Sequence, residues 1–217
     1  MGEPETASHA PMALAEQNRF DEAIGEFRQV LQIDPLDADG HHNLGNALAR
    51  QGRLREAVQQ FQEALRIRPE HAKAHYDLGN ALARQGDLET ALIHFRQALR
   101  YSPRDASAHY NAGRILLEQR QFEEARDHFR RALRIDATHV KARYYLAVAL
   151  AEQGDFKAAD KEFREALRIE PNLAEAHAGL ARALSAQGKK DEAVQHYQEA
   201  VRLLKLQSRN TNEGSNK

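Results

Sequence analysis

The sequence predicts an all-α solenoid of stacked helix pairs, and three observations predict it. Pro35, Pro69 and Pro103 stand 34 residues apart, with Pro171 two such steps further on. Phe27, Phe61, Phe95, Phe129, Phe163 and Tyr197 keep the same step, as do Ala23, Ala57, Ala91, Ala125, Ala159 and Ala193, and Gly52, Gly86, Gly154 and Gly188 fall in register. Within each period, two stretches carry apolar residues at helical spacing with a break between them. Self-similarity at a period of this length marks units that cannot bury their apolar faces alone and must stack on one another.

Residues 1–10 are small, polar and proline-containing, with no apolar period, and are expected to form a disordered lead. Pro11 to Gln17 reads as the remnant of a helix that starts near Pro11, because proline is tolerated in a helix's first turn but not in its middle. The first unit, 11–37, is therefore shortened. Five full units follow, 38–71, 72–105, 106–139, 140–173 and 174–207, which with the first make one solenoid over 11–207.

In the unit from 72, His75, Leu78, Gly79 and Leu82 form one stripe of a first helix. Gly86 ends it through the left-handed conformation open to glycine, and Asp87 is placed to cap the next helix. Ala91, Phe95, Ala98 and Leu99 make the buried stripe of that second helix, and Pro103 closes the unit. Gly45, Gly79 and Gly113, with Ala147 and Ala181 in later copies, leave room where a first helix meets its own partner. A glycine inside a helix costs roughly 1 kcal/mol relative to alanine, and that cost recurring at one register predicts a close helix contact. The phenylalanine column is expected to fill the space between neighbouring units.

Two copies depart from the pattern. In 106–139, Arg120 stands where the others have glycine and Ala137 where they have proline, so both turns are expected to be less sharply punctuated and the inter-unit angle altered. The last second helix ends in Leu203, Leu204 and Leu206, an apolar end expected to be partly exposed and to favour self-association. The tail SRNTNEGSNK, 208–217, is expected to be disordered.

With 31 basic and 32 acidic residues the net charge is −1, which argues against a general nucleic-acid or anionic-membrane binder. There is no cysteine, hence no disulfide framework, thiol nucleophile or thiolate metal site. The N-terminus lacks the basic and apolar regions of a secretory signal, and no apolar run approaches the roughly 20 residues needed to span a bilayer. A soluble, cytoplasmic protein is expected.

The columns resemble the tetratricopeptide repeat family, the match being carried by Leu44, Gly45, Leu48, Ala57, Phe61, Ala64, Pro69 and their echoes over about residues 11–207. The family's large apolar residue near the start of the first helix is replaced by His41, His75, His109, Arg143 and His177, which is expected to weaken packing there. The resemblance implies antiparallel helix pairs wound into a right-handed superhelix, with first helices lining a concave groove that binds peptides or partner proteins, and no enzymatic activity. HHNLGNALARQG is also similar to the repeats that precede the catalytic domain of O-linked N-acetylglucosamine transferases, so the targeting region of a larger enzyme stands as an alternative, as does a self-assembling scaffold.

No catalytic constellation stands out: there is no phosphate-binding glycine loop, GxSxG or HExxH. The histidine column supplies one imidazole per unit. First helices stacked roughly 8–10 Å apart cannot bring such residues to one ion that needs ligands at about 2.0–2.1 Å, so packing or surface roles are expected and no metal or cofactor.

The candidate binding residues lie on another face of the first helices: Lys73, Tyr76, Asn80 and Arg84, a face that Asp77 shares, with Asn43, Asn46 and Arg50 before them, Tyr110, Asn111 and Arg114 after them, then Lys141, Tyr144 and Tyr145. Asparagine competes with the helix backbone for hydrogen bonds, so its recurrence calls for a reason. One reading is that the amides pair with the backbone of an extended peptide, the tyrosines take its side chains and the cations favour acidic groups. The other is that the asparagines bond to the neighbouring unit and the tyrosines wedge between first helices. Against the carboxylate clamp of tetratricopeptide co-chaperones, Asn80, Asn111 and Lys141 match, while Tyr76 and Tyr145 replace a lysine and an arginine, so a full clamp is not expected.

Overall fold

The computed structural model describes residues 11, 14, 15, 17 and 19–214; the lead expected over 1–10 lies outside the described residues. Pro11, Leu14 and Ala15 are helical. Eleven longer helices and no strand follow among the described residues: α1 (Phe20–Ile33), α2 (Ala38–Arg50), α3 (Leu54–Ile67), α4 (Ala72–Gln85), α5 (Leu88–Tyr101), α6 (Ala106–Glu118), α7 (Phe122–Ile135), α8 (Val140–Glu152), α9 (Phe156–Ile169), α10 (Ala174–Ala186) and α11 (Lys190–Gly214). They form two compact units that part between Arg104 and Asp105, α1–α5 in the first and α6–α11 in the second.

Turns of two or three residues join α2 to α3, α4 to α5, α6 to α7, α8 to α9 and α10 to α11, and connections this short make antiparallel neighbours. Consecutive helices pack along one another within each unit. First helices also touch, α2 with α4 in the first unit, α6 with α8 and α8 with α10 in the second, so they share one side of their unit.

The core is built on the phenylalanine column. Phe27, Phe61, Phe95, Phe129 and Phe163 are at most 2% exposed. Each glycine in the first-helix column faces the ring of its own partner helix: a methyl group added at Gly45, Gly79 or Gly113 would lie 2.6, 2.9 or 2.8 Å from a ring carbon of Phe61, Phe95 or Phe129. The rings therefore rest on the backbone of the first helix, which only glycine allows at this spacing. Leu99, expected in the buried stripe, is half-buried, and Leu92 is buried beside Ala91. Tyr197 is 53% exposed, and among the described residues no further helix pair lies over α11.

The turns repeat one hydrogen-bond pattern. At Gly52, Gly86, Gly154 and Gly188, φ is +80°, +89°, +82° and +78°. The following N–H reaches back to a carbonyl in the last helical turn, as Arg53 N–H does to Leu48 and Asp87 N–H to Leu82. Asp87, Asp105 and Asp155 accept from the backbone N–H of Thr90, Ala108 and Ala158 and cap α5, α6 and α9.

Two expectations are corrected. The turn at Arg120 is as sharply made as the others: Arg120 adopts φ +59°, Gln121 N–H donates to Leu116 O at 2.8 Å, and the guanidinium lies 5.3 Å from the centroid of the Phe122 ring. The tail expected from 208 is helical as far as Gly214, since no proline interrupts the chain between Lys190 and that residue, and no glycine precedes Gly214 there; 215–217 lie outside the described residues. Leu203 is buried at 5%, whereas Leu204 and Leu206 are exposed.

A left-handed conformation costs a non-glycine residue about 1–2 kcal/mol, partly offset at Arg120 by the ring contact. Arg120→Gly is expected to stabilise the protein by about 0.5–1 kcal/mol, read as a higher denaturant midpoint. A lower midpoint would mean that the Phe122 contact outweighs the backbone strain.

Candidate functional site

The residues at the starts of the first helices do not weaken packing; they bolt each pair together. His75 Nε2–H donates to Pro69 O at 2.9 Å, which leaves its Nδ1 as an acceptor for the Nδ1–H of His94, 3.0 Å away on α5. His177 repeats the arrangement, with Pro171 O at 3.0 Å and His196 of α11 at 2.9 Å. His109 and His128 pair at 3.1 Å across α6 and α7, and His41 meets Pro35 O at 3.2 Å and the Gln60 amide at 2.8 Å. In the copy without histidine, Arg143 donates to Ala137 O and to Glu162, both at 3.0 Å. One side chain thus ties the incoming turn, the first helix and the second helix. Each pair brings two imidazoles together, and among the described residues no group of three or more histidines and carboxylates is placed to hold a metal ion.

In the first unit a second polar network crosses α2, α4 and the turn between α3 and α4. His42 Nε2 lies 2.7 Å from the Asp77 carboxylate, with the Asn46 amide 3.2 Å from the same nitrogen. His71 caps α4 by accepting from Ala74 N–H at 3.4 Å, so its Nε2–H donates to Asp39 at 3.0 Å. Arg68 donates to both Asp39 oxygens, at 3.2 and 2.6 Å, and these bonds hold the Asp39 carboxyl below its ordinary value. His42 and His71 are buried, with ring centroids 4.9 Å apart. Burial, then the charge of His42, pushes His71 below its ordinary value.

The expected binding residues fall on the first helices, with different degrees of freedom. In the first unit Lys73 is exposed, and Asn43, Asn46, Tyr76 and Asn80 are half-buried or buried in part. Asn46 sits against His42, Arg50 stands 5.5 Å over the Phe20 ring, and Arg84 donates to Ala49 O at 3.1 Å. The Tyr76 ring packs on Phe95 at 5.8 Å. In the second unit Lys141 is exposed, and Tyr110, Asn111, Tyr144 and Tyr145 are half-buried. Tyr110 and Tyr144 pack on Phe129 and Phe163 at 6.4 and 5.9 Å, and Tyr145 stacks on Phe129 at 6.0 Å. Arg114 covers Tyr110 and Tyr145 at 6.0 and 5.8 Å. The tyrosines are therefore seated on the core with one part of each ring open, and not splayed into solvent.

Sequence reasoning missed His42, His71 and Asp39, and the second member of each latch. A signal for the latches was present: His94, His128 and His196 keep the 34-residue step, each 19 residues after a first-helix histidine, with Glu162 so placed after Arg143. It also missed a cavity of about 290 Å³ between α8, α9 and α10, lined by Tyr144, Val148, Phe156, Phe163, Ala178 and Gly179 among others.

Three family models match the chain, those described as tetratricopeptide repeat over residues 76–140 and 150–205 and as TPR repeat over 13–52 and 45–86. No curated protein compared with the chain matches it. Among solved structures, that of YrrB, described as a TPR protein with an unusual peptide-binding site, is similar over 82% of this chain and 91% of its own, with 22% identity and a TM-score of 0.75. MamA is similar over 76% of this chain and 97% of its own at 19% identity and a TM-score of 0.72. For MamA residues 41 to the end from Desulfovibrio magneticus RS-1, coverage is 78% and 96%, identity 22% and TM-score 0.70. At these identities the likeness is one of fold. Among the described residues no helix is long and apolar enough to cross a membrane.

The latches carry a pH dependence. Burial pushes His75, His94 and His196 below the ordinary 6.5, and the facing imidazole adds to this at His94 and His196. The Pro69 carbonyl, Asp87, and Glu192 with Asp160 oppose the shift at the three sites, and Arg164 adds to it at His196. The unfolded chain takes up protons near 6.5 that the folded pairs resist, so their contribution is whole above that pH and is lost as pH falls through the depressed folded values. The denaturant midpoint is expected to be lower at about pH 5 than at about pH 7.5. His75→Arg with His94→Glu, copying the Arg143–Glu162 pair, should flatten that fall. An unchanged pH slope in the double variant would show that this latch does not titrate.

Proposed function

Because the chain belongs to the tetratricopeptide repeat family, we propose that it is a protein-interaction module whose first-helix faces, that of α2 and α4 and that of α6, α8 and α10, recognise an extended peptide or a partner protein. The observation that carries this reading is the group Tyr110, Arg114, Tyr144 and Tyr145 on α6 and α8: aromatic rings held on buried phenylalanines, with an arginine laid across two of them. Rigid, partly open tyrosines beside arginine are the composition of protein-binding hot spots. The description of YrrB as having a peptide-binding site supports the same reading.

Asn43, Asn80 and Asn111 are proposed to bond to the peptide backbone. Asn46, engaged with His42, acts through that histidine. Lys73 and Lys141, both exposed, favour acidic groups, with Arg50, Arg84 and Arg114 at the edges of the faces. Nothing in this scheme calls for chemistry, and the module is read as a scaffold or adaptor and not as an enzyme.

The test is titration with ten-residue peptides that differ only in charge. The acidic peptide should bind more tightly. Lys141→Ala should weaken it by up to about fivefold, as for an exposed charge, and Asn111→Ala by about two- to tenfold, as for one hydrogen bond. Equal binding of acidic and basic peptides, with indifference to both substitutions, would remove the first-helix faces as the site.

A second contact is favoured by α11. Val194, Tyr197, Val201 and Leu204 are 54, 53, 44 and 51% exposed and fall at i, i+3, i+7 and i+10, one apolar stripe. Tyr197 belongs to a column whose other members are buried, so this is a packing face without its cover. A second copy supplies the same face, and two such stripes bury each other in a twofold contact. Sedimentation should show a concentration-dependent dimer that Tyr197→Glu with Leu204→Glu abolishes; a wild-type chain that stays monomeric at high concentration would exclude the contact.

A further inference from the structure

The cavity between α8, α9 and α10 sets this copy apart from the one before it. One step earlier in the same unit, the ring of Tyr145 lies on Phe129 at 6.0 Å and against Tyr110 at 5.9 Å, with Arg114 over it at 5.8 Å. Moving 34 residues on, Phe163 and Tyr144 stand in the places of Phe129 and Tyr110, 5.9 Å apart. The two side chains that would follow, the counterparts of Tyr144 and Tyr145, are Ala178 and Gly179. The Tyr145 ring that lies on this wall in the preceding copy has no counterpart here.

The gap cannot be filled from position 179. A methyl group added at Gly179 would come within 2.4 Å of the Phe163 ring, so the backbone of α10 rests on that ring and the opening lies beside it. Its walls include Tyr144, Phe156, Phe163 and Val148, and Arg182 stands at the lining with Glu175 and Glu152. At about 290 Å³ it falls at the low end of ligand pockets, roughly 300–1,000 Å³, and suits one ring and not a larger ligand.

We propose that this cavity is the anchor pocket for a single aromatic side chain of a partner peptide, its ring lying against Tyr144 and Phe163 as Tyr145 lies against Tyr110 and Phe129, with the Arg182 guanidinium available to its face. The occupant is identified by the molecule's own preceding copy, in which an aromatic ring lies on the same wall; the place of its covering Arg114 is taken here by Val148, and Arg182 supplies a guanidinium from α10 instead. This rests on the recognition reading above and adds to it which residue of the peptide is read most closely in the second unit.

The test uses the full, nitrogen-15-labelled chain with N-acetyl-tyrosinamide as probe and N-acetyl-leucinamide as its aliphatic counterpart. The tyrosine probe should shift the Gly179 amide and the Arg182 Nε–H, and the leucine probe should bind about two- to tenfold more weakly, the difference an aromatic pair supplies. Ala178→Tyr returns a ring of the repeat to the opening and should abolish the shifts. Ala178→Ser leaves the opening and should keep them, and Arg182→Ala should weaken the probe about two- to fivefold. Absence of shifts at these residues, equal response to both probes, or shifts retained in Ala178→Tyr would overturn the pocket. Acidic-peptide binding that depends on Lys141 without any response to the tyrosine probe would overturn the pocket alone and leave the recognition faces standing; a tyrosine-probe response with no charge preference would do the reverse.

Discussion

A phenylalanine ring pressed onto the backbone of the facing helix governs how α2 meets α3, α4 meets α5 and α6 meets α7. Full burial of such a ring is worth about 1.5–3 kcal/mol, which exceeds the roughly 1 kcal/mol lost by placing glycine in a helix interior. The exchange works only if the ring touches the backbone, and the clash that any Cβ would meet at Gly45, Gly79 and Gly113 shows that it does. Once that distance is set, the two- and three-residue turns follow, because the second helix must start within reach of the end of the first. The positive φ of the turn glycines, and of Arg120 in their stead, is the local cost of the same constraint.

The latches are a second and more tolerant constraint. The requirement at their first position is a donor for the carbonyl six residues back and a group that can meet the second helix 19 residues on. Histidine with histidine, histidine with glutamine and arginine with glutamate all meet it. Tolerance of this kind explains why the usual bulky apolar residue can be absent without loosening the helix starts: the hydrogen bonds supply in direction what the apolar residue supplies in area.

The fold is legible in the sequence because period, glycine register and phenylalanine column each report a local relation, and a chain of local relations is what a repeat array is. Arg120 misleads because the rule that glycine takes the left-handed turn is statistical; the hydrogen bonds to Leu117 and Leu116 are sufficient to hold a larger residue there. The helix beyond 207 is hidden because polarity reads as disorder even in a segment without a helix breaker. The site is legible only as a face. That Tyr76, Tyr110 and Tyr144 lie back on the core phenylalanines, and that Asn46 is engaged by His42, depends on side-chain direction across two helices, which spacing along one helix does not carry. His94, His128 and His196 are visible as a column, but nothing in one dimension says which first-helix residue a second-helix residue meets.

Breaks in the columns sort by what compensates them. At Arg143 the histidine is lost and Glu162 replaces its partner, so the contact survives in another chemistry. At Tyr197 the residue type is nearly kept, and among the described residues its ring has no cover. At Ala178 the column of His42, Tyr76, Tyr110 and Tyr144 loses its ring, a glycine stands at 179 where Asn43, Asp77, Asn111 and Tyr145 stand in the other copies, and an opening of about 290 Å³ remains. The glycine costs helix propensity, but the Phe163 ring rests on its backbone as the other rings rest on Gly45, Gly79 and Gly113; the ring missing at Ala178 has no such replacement. At Ala178 the sequence therefore departs from its own repeat in the direction that packing alone opposes, and it does so on the helix face where the tyrosines and arginines gather.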